Sequence, residues 1–263
     1  MLKQQKRLKE KLDRGECVIG THSFSGVPML TEAMALCGFD AVWIDMEHTV
    51  IDKAAVINNL IACNEAGAAA VVRIPWNDPV MAKPILDMGA DAIIFPYIRT
   101  VEDAKLAAAA CTYPPEGIRG YGPQRANCYG LMDQLEYVHR DYRAALRFIQ
   151  LEHIDALKRL EEILQVEGID GFIFGPNDLA GSIGLIGQPR HEKALEITKR
   201  ATEVLRKAGK PFGASVGYDE ETLAWWRNEG ATLLFAGYDT GYVMEGAQKT
   251  LAGMRMIAKG ESK

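Results

Sequence analysis

The sequence predicts an α/β protein, a (β/α)8 TIM barrel, and three observations predict it. Short apolar runs recur eight times along the 263 residues, at 17–21, 41–45, 69–73, 92–95, 146–152, 171–175, 211–216 and 233–237. Each run is continuously apolar rather than alternating, as a parallel strand covered on both faces must be. Amphipathic helical patterns lie between them, for example at 52–66, 154–166, 192–208 and 220–230. Eight β-then-α units favour a closed barrel over a doubly wound sheet. A chain of this length with 48% hydrophobic residues can bury one large core, so residues 1–263 are expected to form a single domain.

The elements carry their own punctuation. Asp78-Pro79 opens a helix as a cap and first-turn proline should, and Leu86-Asp87-Met88-Gly89 closes it on a glycine. Pro84 inside that helix is expected to kink or split it. The main irregularity is the loop at 113–142, which carries Pro114-Pro115 and several glycines; a loop that long in a compact domain is a functional or interface element. Two glycine patterns, 117–122 and 181–187, lack the strand or the Gly-Lys-Ser/Thr context of a phosphate cradle and are read as turns. No close repeat is evident beyond the βα alternation.

Charge and cysteine usage narrow the function classes. Thirty Lys and Arg against 35 Asp and Glu leave a net charge of -5, with no basic run to engage nucleic acid. No apolar run reaches a membrane span, and the Lys- and Glu-rich start lacks the apolar segment of a signal peptide. The five cysteines are scattered without a CxxC spacing, so a reducing, cytoplasmic setting is expected.

In a barrel enzyme the chemistry sits where the strands end. The second run ends in Asp45-Met46-Glu47-His48, the third in Arg73, the fifth carries Gln150 and Glu152, and the sixth is followed by Gly175-Pro176-Asn177-Asp178. Glu152 and Asp178 close neighbouring strands, and two carboxylates with waters and substrate oxygens suit a hard ion such as Mg²⁺ or Mn²⁺ better than a closed zinc site. The alternative is that Glu152 pairs with a Lys or Arg, and that Asp178 caps the helix starting near Leu179. His48 sits among more polar groups than a loop needs, and histidine is the most common general base. Arg73 either neutralises Asp45 or Glu47 or holds a substrate oxygen as charge develops there, the second being preferred. His22, His139, His153 and His191 are read as structural, although His22 stands at the first strand end. Asp87 lies in a last helical turn, where a carboxylate opposes the helix dipole and needs a donor, the histidine at the adjacent strand end being one candidate.

Together these residues resemble the class II, pyruvate-dependent aldolases of the HpcH/HpaI aldolase/citrate lyase family. The motifs run nearly end to end: Ile44-Asp45-Met46-Glu47-His48, the stretch 72–79 from Val72 to Pro79, Leu86-Asp87-Met88-Gly89-Ala90, the stretch 113–120, Arg125-Ala126 with Tyr129-Gly130, Gln150-Leu151-Glu152, and the stretch 171–179. The resemblance implies a metal-dependent retro-aldol reaction giving pyruvate and an aldehyde, with Mg²⁺, Mn²⁺ or Co²⁺ as cofactor. It implies Glu152 and Asp178 as metal ligands, His48 as base, Asp87 as the group raising its basicity, and Arg73 steadying the enolate oxygen. Gln150, Gly175, Asn177 and Asp178 are the implied pyruvate-side contacts. A homo-oligomer is implied as well, a hexamer of swapped-helix dimers, which the apolar C-terminal segment 243–257 supports. Met46, Thr49-Val50-Ile51 and Asn177 depart from the usual pattern, and all touch the acceptor side. The rival readings are oxaloacetate decarboxylation or coenzyme A ester lysis on the same barrel, and a non-catalytic barrel that binds an oxo acid. No lysine stands at a strand end, so no Schiff base is expected.

Overall fold

The computed structural model describes residues 2–141 and 145–260, so Tyr142, the last residue of the expected long loop, lies outside the described residues. Eight parallel strands close into a barrel in the order β1 to β8: β1 Val18–Ser23, β2 Ala41–Asp45, β3 Ala69–Arg73, β4 Ala92–Phe95, β5 Leu146–Leu151, β6 Gly171–Phe174, β7 Phe212–Val216 and β8 Leu233–Tyr238. The eight expected runs are the eight strands, displaced by a residue or two at their ends. The helices are α1 Leu2–Asp13, α2 Pro28–Leu36, α3 Lys53–Ala66, α4 Pro79–Asp87, α5 Val101–Ala110, α6 Gln134–Glu136, α7 Ile154–Lys158, α8 Leu160–Ile163, α9 Pro176–Gly181, α10 Glu192–Lys207, α11 Glu220–Asn228 and α12 Asp239–Ala258.

Strand side chains alternate between two cores, as a two-residue period requires. Trp43, Val71, Ile94, Phe148, Ile173 and Phe235 fill the barrel, while Val42, Ile44, Val72, Ile93, Ile149 and Phe172 pack outward against the helices. The barrel floor is closed by α1, which the charged N-terminus had concealed: Leu8 and Leu12, one helical turn apart, join the inner core.

The floor also carries a repeated device. Asp40, Asp91 and Asp170 each directly precede an even-numbered strand. Each carboxylate accepts a backbone N–H from the preceding odd-numbered strand: Ile19 at 3.0 Å, Ala70 at 2.8 Å and Arg147 at 2.8 Å. All three stand in a Gly-x-Asp sequence whose glycine (Gly38, Gly89 or Gly168) has a positive φ, the left-handed turn that leads from helix to strand. This is a short internal repeat beyond the βα alternation.

Two local expectations change, and the path of the long loop is defined. The helical pattern at 154–166 is two short helices, broken at Arg159 (φ -113°, ψ 15°). Pro84 leaves α4 as one unbroken helix; the single bond it forfeits is to the carbonyl of Val80, whose side chain is exposed to solvent. The loop after α5 lies at the floor, because α5 has run from the mouth back toward the start of β5. It folds around the ends of α3 and α4: Arg119 reaches Asp87 (2.7 Å), Arg125 reaches Asn64 of α3 (2.8 Å), and the Gln124 N–H donates to the Asp87 carbonyl (3.1 Å).

At the other end of the chain, α12 leaves the barrel after its first residues. Val243, Met244, Leu251, Met254 and Ile257 along it are exposed. No helix among the described residues is long and apolar enough to cross a membrane.

Candidate active site

Asp45, fully buried at the end of β2, organises the mouth. Its Oδ1 accepts the N–H groups of Glu47 (2.8 Å) and His48 (3.3 Å), folding the next three residues into a tight turn, and the Thr49 hydroxyl donates to its carbonyl. Arg73 is the register partner of Asp45 on β3, and its guanidinium grips the Asp45 carboxylate through Nε and Nη2. Nη1 reaches Gln150 Oε1 on β5 (3.3 Å) and lies 2.8 Å from Glu47 Oε2. The guanidinium also lies 5.1 Å from the centre of the Trp43 ring. Arg73 therefore does neutralise Asp45 and Glu47, and the same contacts fix its fork in one orientation.

Gln150 passes the chain of contacts on. Its Nε2 donates to Glu152 Oε2 (2.9 Å), and Glu152 Oε1 accepts the backbone N–H of Tyr97 at the end of β4 (2.6 Å). Burial pushes the Glu152 carboxyl up to about 7; the Tyr97 N–H and Arg73 oppose that shift, while the charges of Glu47 and Asp178 add to it. Glu47 is likewise raised, by burial first and then by Asp45 and Asp178 against the pull of Arg73 and His48. Gly175 follows β6 and leaves the space that Glu152 occupies: a Cβ there would stand 2.6 Å from Glu152 Oε2. Asp178 lies in the first turn of α9, exposed, two residues after the proline that opens it. It does not cap that helix; Gly175 is the N-cap residue and no side chain caps it.

Asp45, Glu47, Glu152 and Asp178 thus face one guanidinium at this mouth. Such an excess of carboxylate is what a divalent cation relieves, and Glu152 with Asp178 are oxygen donors of the kind Mg²⁺ and Mn²⁺ take. Among the described residues no group of three or more His, Cys, Asp or Glu side chains is arranged to hold a metal ion.

The histidines divide clearly. His48 is at the mouth with its side chain 66% exposed and Nε2 3.9 Å from Glu47 Oε2. His22 is buried below it, with Nδ1 2.7 Å from the Gly237 carbonyl and Nε2 2.8 Å from Ser215 Oγ. Burial holds its imidazole down to about 4, so it is neutral, donating to Gly237 and accepting from Ser215. His153 and His191 are N-caps, of α7 and α10.

Asp87 is the exception among the expected site residues. Because α4 runs antiparallel to the strands, its last residue lies at the floor, the opposite end of the barrel from His48. It pairs with the buried Arg119, which also stacks on Tyr113 with its guanidinium carbon 4.7 Å from the ring centre. The expected pairing with His48 is not formed within the chain. Glu47 and Tyr97 also touch the expected residues: the sequence offers Glu47 only as a possible partner of Arg73 and Tyr97 only as a residue at a strand end, and the Tyr97 contact uses the backbone and leaves no residue-type signal.

Residues 19–246 match the HpcH/HpaI aldolase/citrate lyase family. The chain is 36% identical over 243 residues to a hydroxypyruvate/pyruvate aldolase of Sagittula stellata, covering 92% of this chain and 94% of that one. It is 35% identical over 221 residues to a 4-hydroxy-2-oxo-heptane-1,7-dioate aldolase of Klebsiella pneumoniae, covering 84% and 83%. The crystal structure of a family protein from Burkholderia cenocepacia superimposes with a TM-score of 0.89 at 30% identity, over 95% of this chain and 99% of that one. Family model, barrel and relatives agree: the chain belongs to the HpcH/HpaI aldolase/citrate lyase family and is a carbon–carbon lyase.

Proposed function

We propose that the enzyme is a metal-dependent aldolase that cleaves or forms 4-hydroxy-2-oxo acids, with pyruvate and an aldehyde as the other partners. The observation that carries this reading is the buried Glu152 carboxyl, raised to about 7 and facing Asp178 and Glu47 beside an immobilised arginine. Glu152 and Asp178 would hold the cation, Mg²⁺, Mn²⁺ or Co²⁺, which when bound supplies positive charge to the 2-oxo group. Gln150, Asn177, Asp178 and the backbone at Gly175 orient the pyruvate portion. His48, open to solvent at the mouth, takes the proton from the 4-hydroxyl; the C3–C4 bond then breaks, the aldehyde leaves and pyruvate remains as its enolate. Arg73 holds its guanidinium toward the developing oxyanion, and its contacts with Asp45, Glu47 and Gln150 remove the need to reorganise it during the reaction. Protonation at C3 releases pyruvate.

Asp87 enters this scheme through a second copy of the chain. The exposed apolar face of α12 supports a homo-oligomer, a hexamer in this reading, and in it a contact between copies would bring Asp87 of one to His48 of another. Mixing His48→Ala and Asp87→Asn proteins tests this. Mixed assemblies should regain activity that neither variant has alone, whereas no recovery from reassembled mixtures contradicts it.

The substrate reading is tested by a panel of 4-hydroxy-2-oxo acids assayed for pyruvate, with oxaloacetate alongside. Pyruvate together with stoichiometric aldehyde supports it. Turnover of oxaloacetate alone would make the enzyme a decarboxylase.

A further inference from the structure

We infer that Trp76 and Tyr97 form the acceptor wall of this site and select a carbon-rich aldehyde; the inference rests on the aldolase reading above. Tyr97 has φ +56°, a conformation that glycine holds without strain and an aromatic residue does not. Its backbone duty, the 2.6 Å N–H bond to Glu152, would be met equally well by glycine. What tyrosine adds is its ring, on the residue whose backbone N–H holds Glu152. That ring lies against Trp76, with centroids 5.3 Å apart and planes inclined by 31°, and neither is covered: Trp76 is 54% exposed and Tyr97 37%. His153 meets Tyr97 edge-on at 5.9 Å, and the Arg99 guanidinium lies 5.8 Å from the ring centre, so the shelf is braced from the β5 side.

The chemistry of the shelf defines what it takes. Ring faces are electron-rich and suit C–H groups or another ring, and they disfavour a carboxylate. An aldehyde with an aryl or alkyl tail can lie along the shelf.

The test measures kcat/KM for condensation of pyruvate with benzaldehyde and with acetaldehyde, in Mg²⁺. The unmodified enzyme should prefer benzaldehyde. Trp76→Ala and Tyr97→Gly should each shrink that preference roughly three- to tenfold, the range of one aromatic contact, and Trp76→Phe should retain most of it. Tyr97→Gly keeps the N–H to Glu152 and relieves the backbone, so a loss of preference there reports the ring and not the fold. An unchanged preference in both variants overturns the wall. Exchange of the pyruvate C3 protons with ²H₂O, measured on the unmodified enzyme without aldehyde, separates the two readings. Exchange without any preference for benzaldehyde overturns the wall alone; neither exchange nor condensation overturns the aldolase reading and the wall with it.

Discussion

The two ends of the barrel use carboxylates in opposite ways. At the floor, Asp40, Asp91 and Asp170 each accept a backbone N–H from the neighbouring strand, and Asp91 accepts a second bond from Asn64 Nδ2 (2.8 Å). Each such carboxylate is held apart from the others by the spacing of alternate strands. At the mouth, the charges of Glu47 and Asp178 add to the burial that raises Glu152, and those of Asp45 and Asp178 add to the burial that raises Glu47, with a single guanidinium among them. Carboxylates that stabilise a fold are supplied with donors one by one. Carboxylates that converge without enough donors mark a site that something else completes.

Substitutions can break this contrast. The largest expected effect is on rate: His48→Ala should lower aldol cleavage by roughly a hundred- to ten-thousandfold, the usual cost of losing a general base, with metal affinity unchanged. Steady-state kinetics and a metal titration check both halves. Glu152→Gln should cost roughly a hundred- to a thousandfold in kcat yet leave thermal stability equal or higher in metal-free protein at pH 8, because it removes a buried charge that lacks a counter-ion. A large fall in Tm would show that Glu152 serves the fold as the floor aspartates do.

The floor should answer in the reverse sense. Asp91→Ala leaves the Ala70 N–H and the Asn64 amide short of an acceptor, so it should lose about 1–3 kcal/mol of stability while kcat holds. Denaturant titration and kinetics on one sample decide it. A smaller, pH-dependent effect sharpens the same point. Burial raises Asp91 from an ordinary 3.8 to about 6, so the folded chain holds more protons than the unfolded one between those values. Its contribution to stability is fully present below about 3.8 and is lost as pH rises through about 6. His22, lowered to about 4, acts in the opposite direction, its contribution being present above about 6.5 and lost as pH falls toward 4. Asp91→Asn should therefore gain stability relative to the parent as pH rises from 4 to 7, and a constant difference would contradict the assignment.

The same contrast explains what could be read in the sequence. The strands were legible because a parallel strand buried on both faces needs an unbroken apolar run, and the mouth followed because the residues after each run are necessarily there. Asp87 was legible as a carboxylate in need of a donor, but its partner was not: Arg119 is 32 residues away, on a loop whose path no local pattern sets. The direction of α4 was available, and it already places the helix's last residue at the floor. Tyr97 was hidden because a strained φ and a backbone bond to Glu152 have no signature in residue type. Helix α1 was hidden by its charge; only the spacing of Leu8 and Leu12 betrays the face that closes the barrel.

The central claim is that the unbalanced carboxylates at the mouth hold a cation essential to carbon–carbon cleavage. The most direct measurement is pyruvate release from a 4-hydroxy-2-oxo acid by protein stripped with a chelator and dialysed, before and after adding back Mg²⁺, Mn²⁺ or Co²⁺, with a borohydride trap run in parallel. The stripped enzyme should show no turnover, at least one of these ions should restore it, and borohydride should trap no substrate adduct. Full activity in the metal-free protein, or a trapped lysine adduct, would contradict the claim.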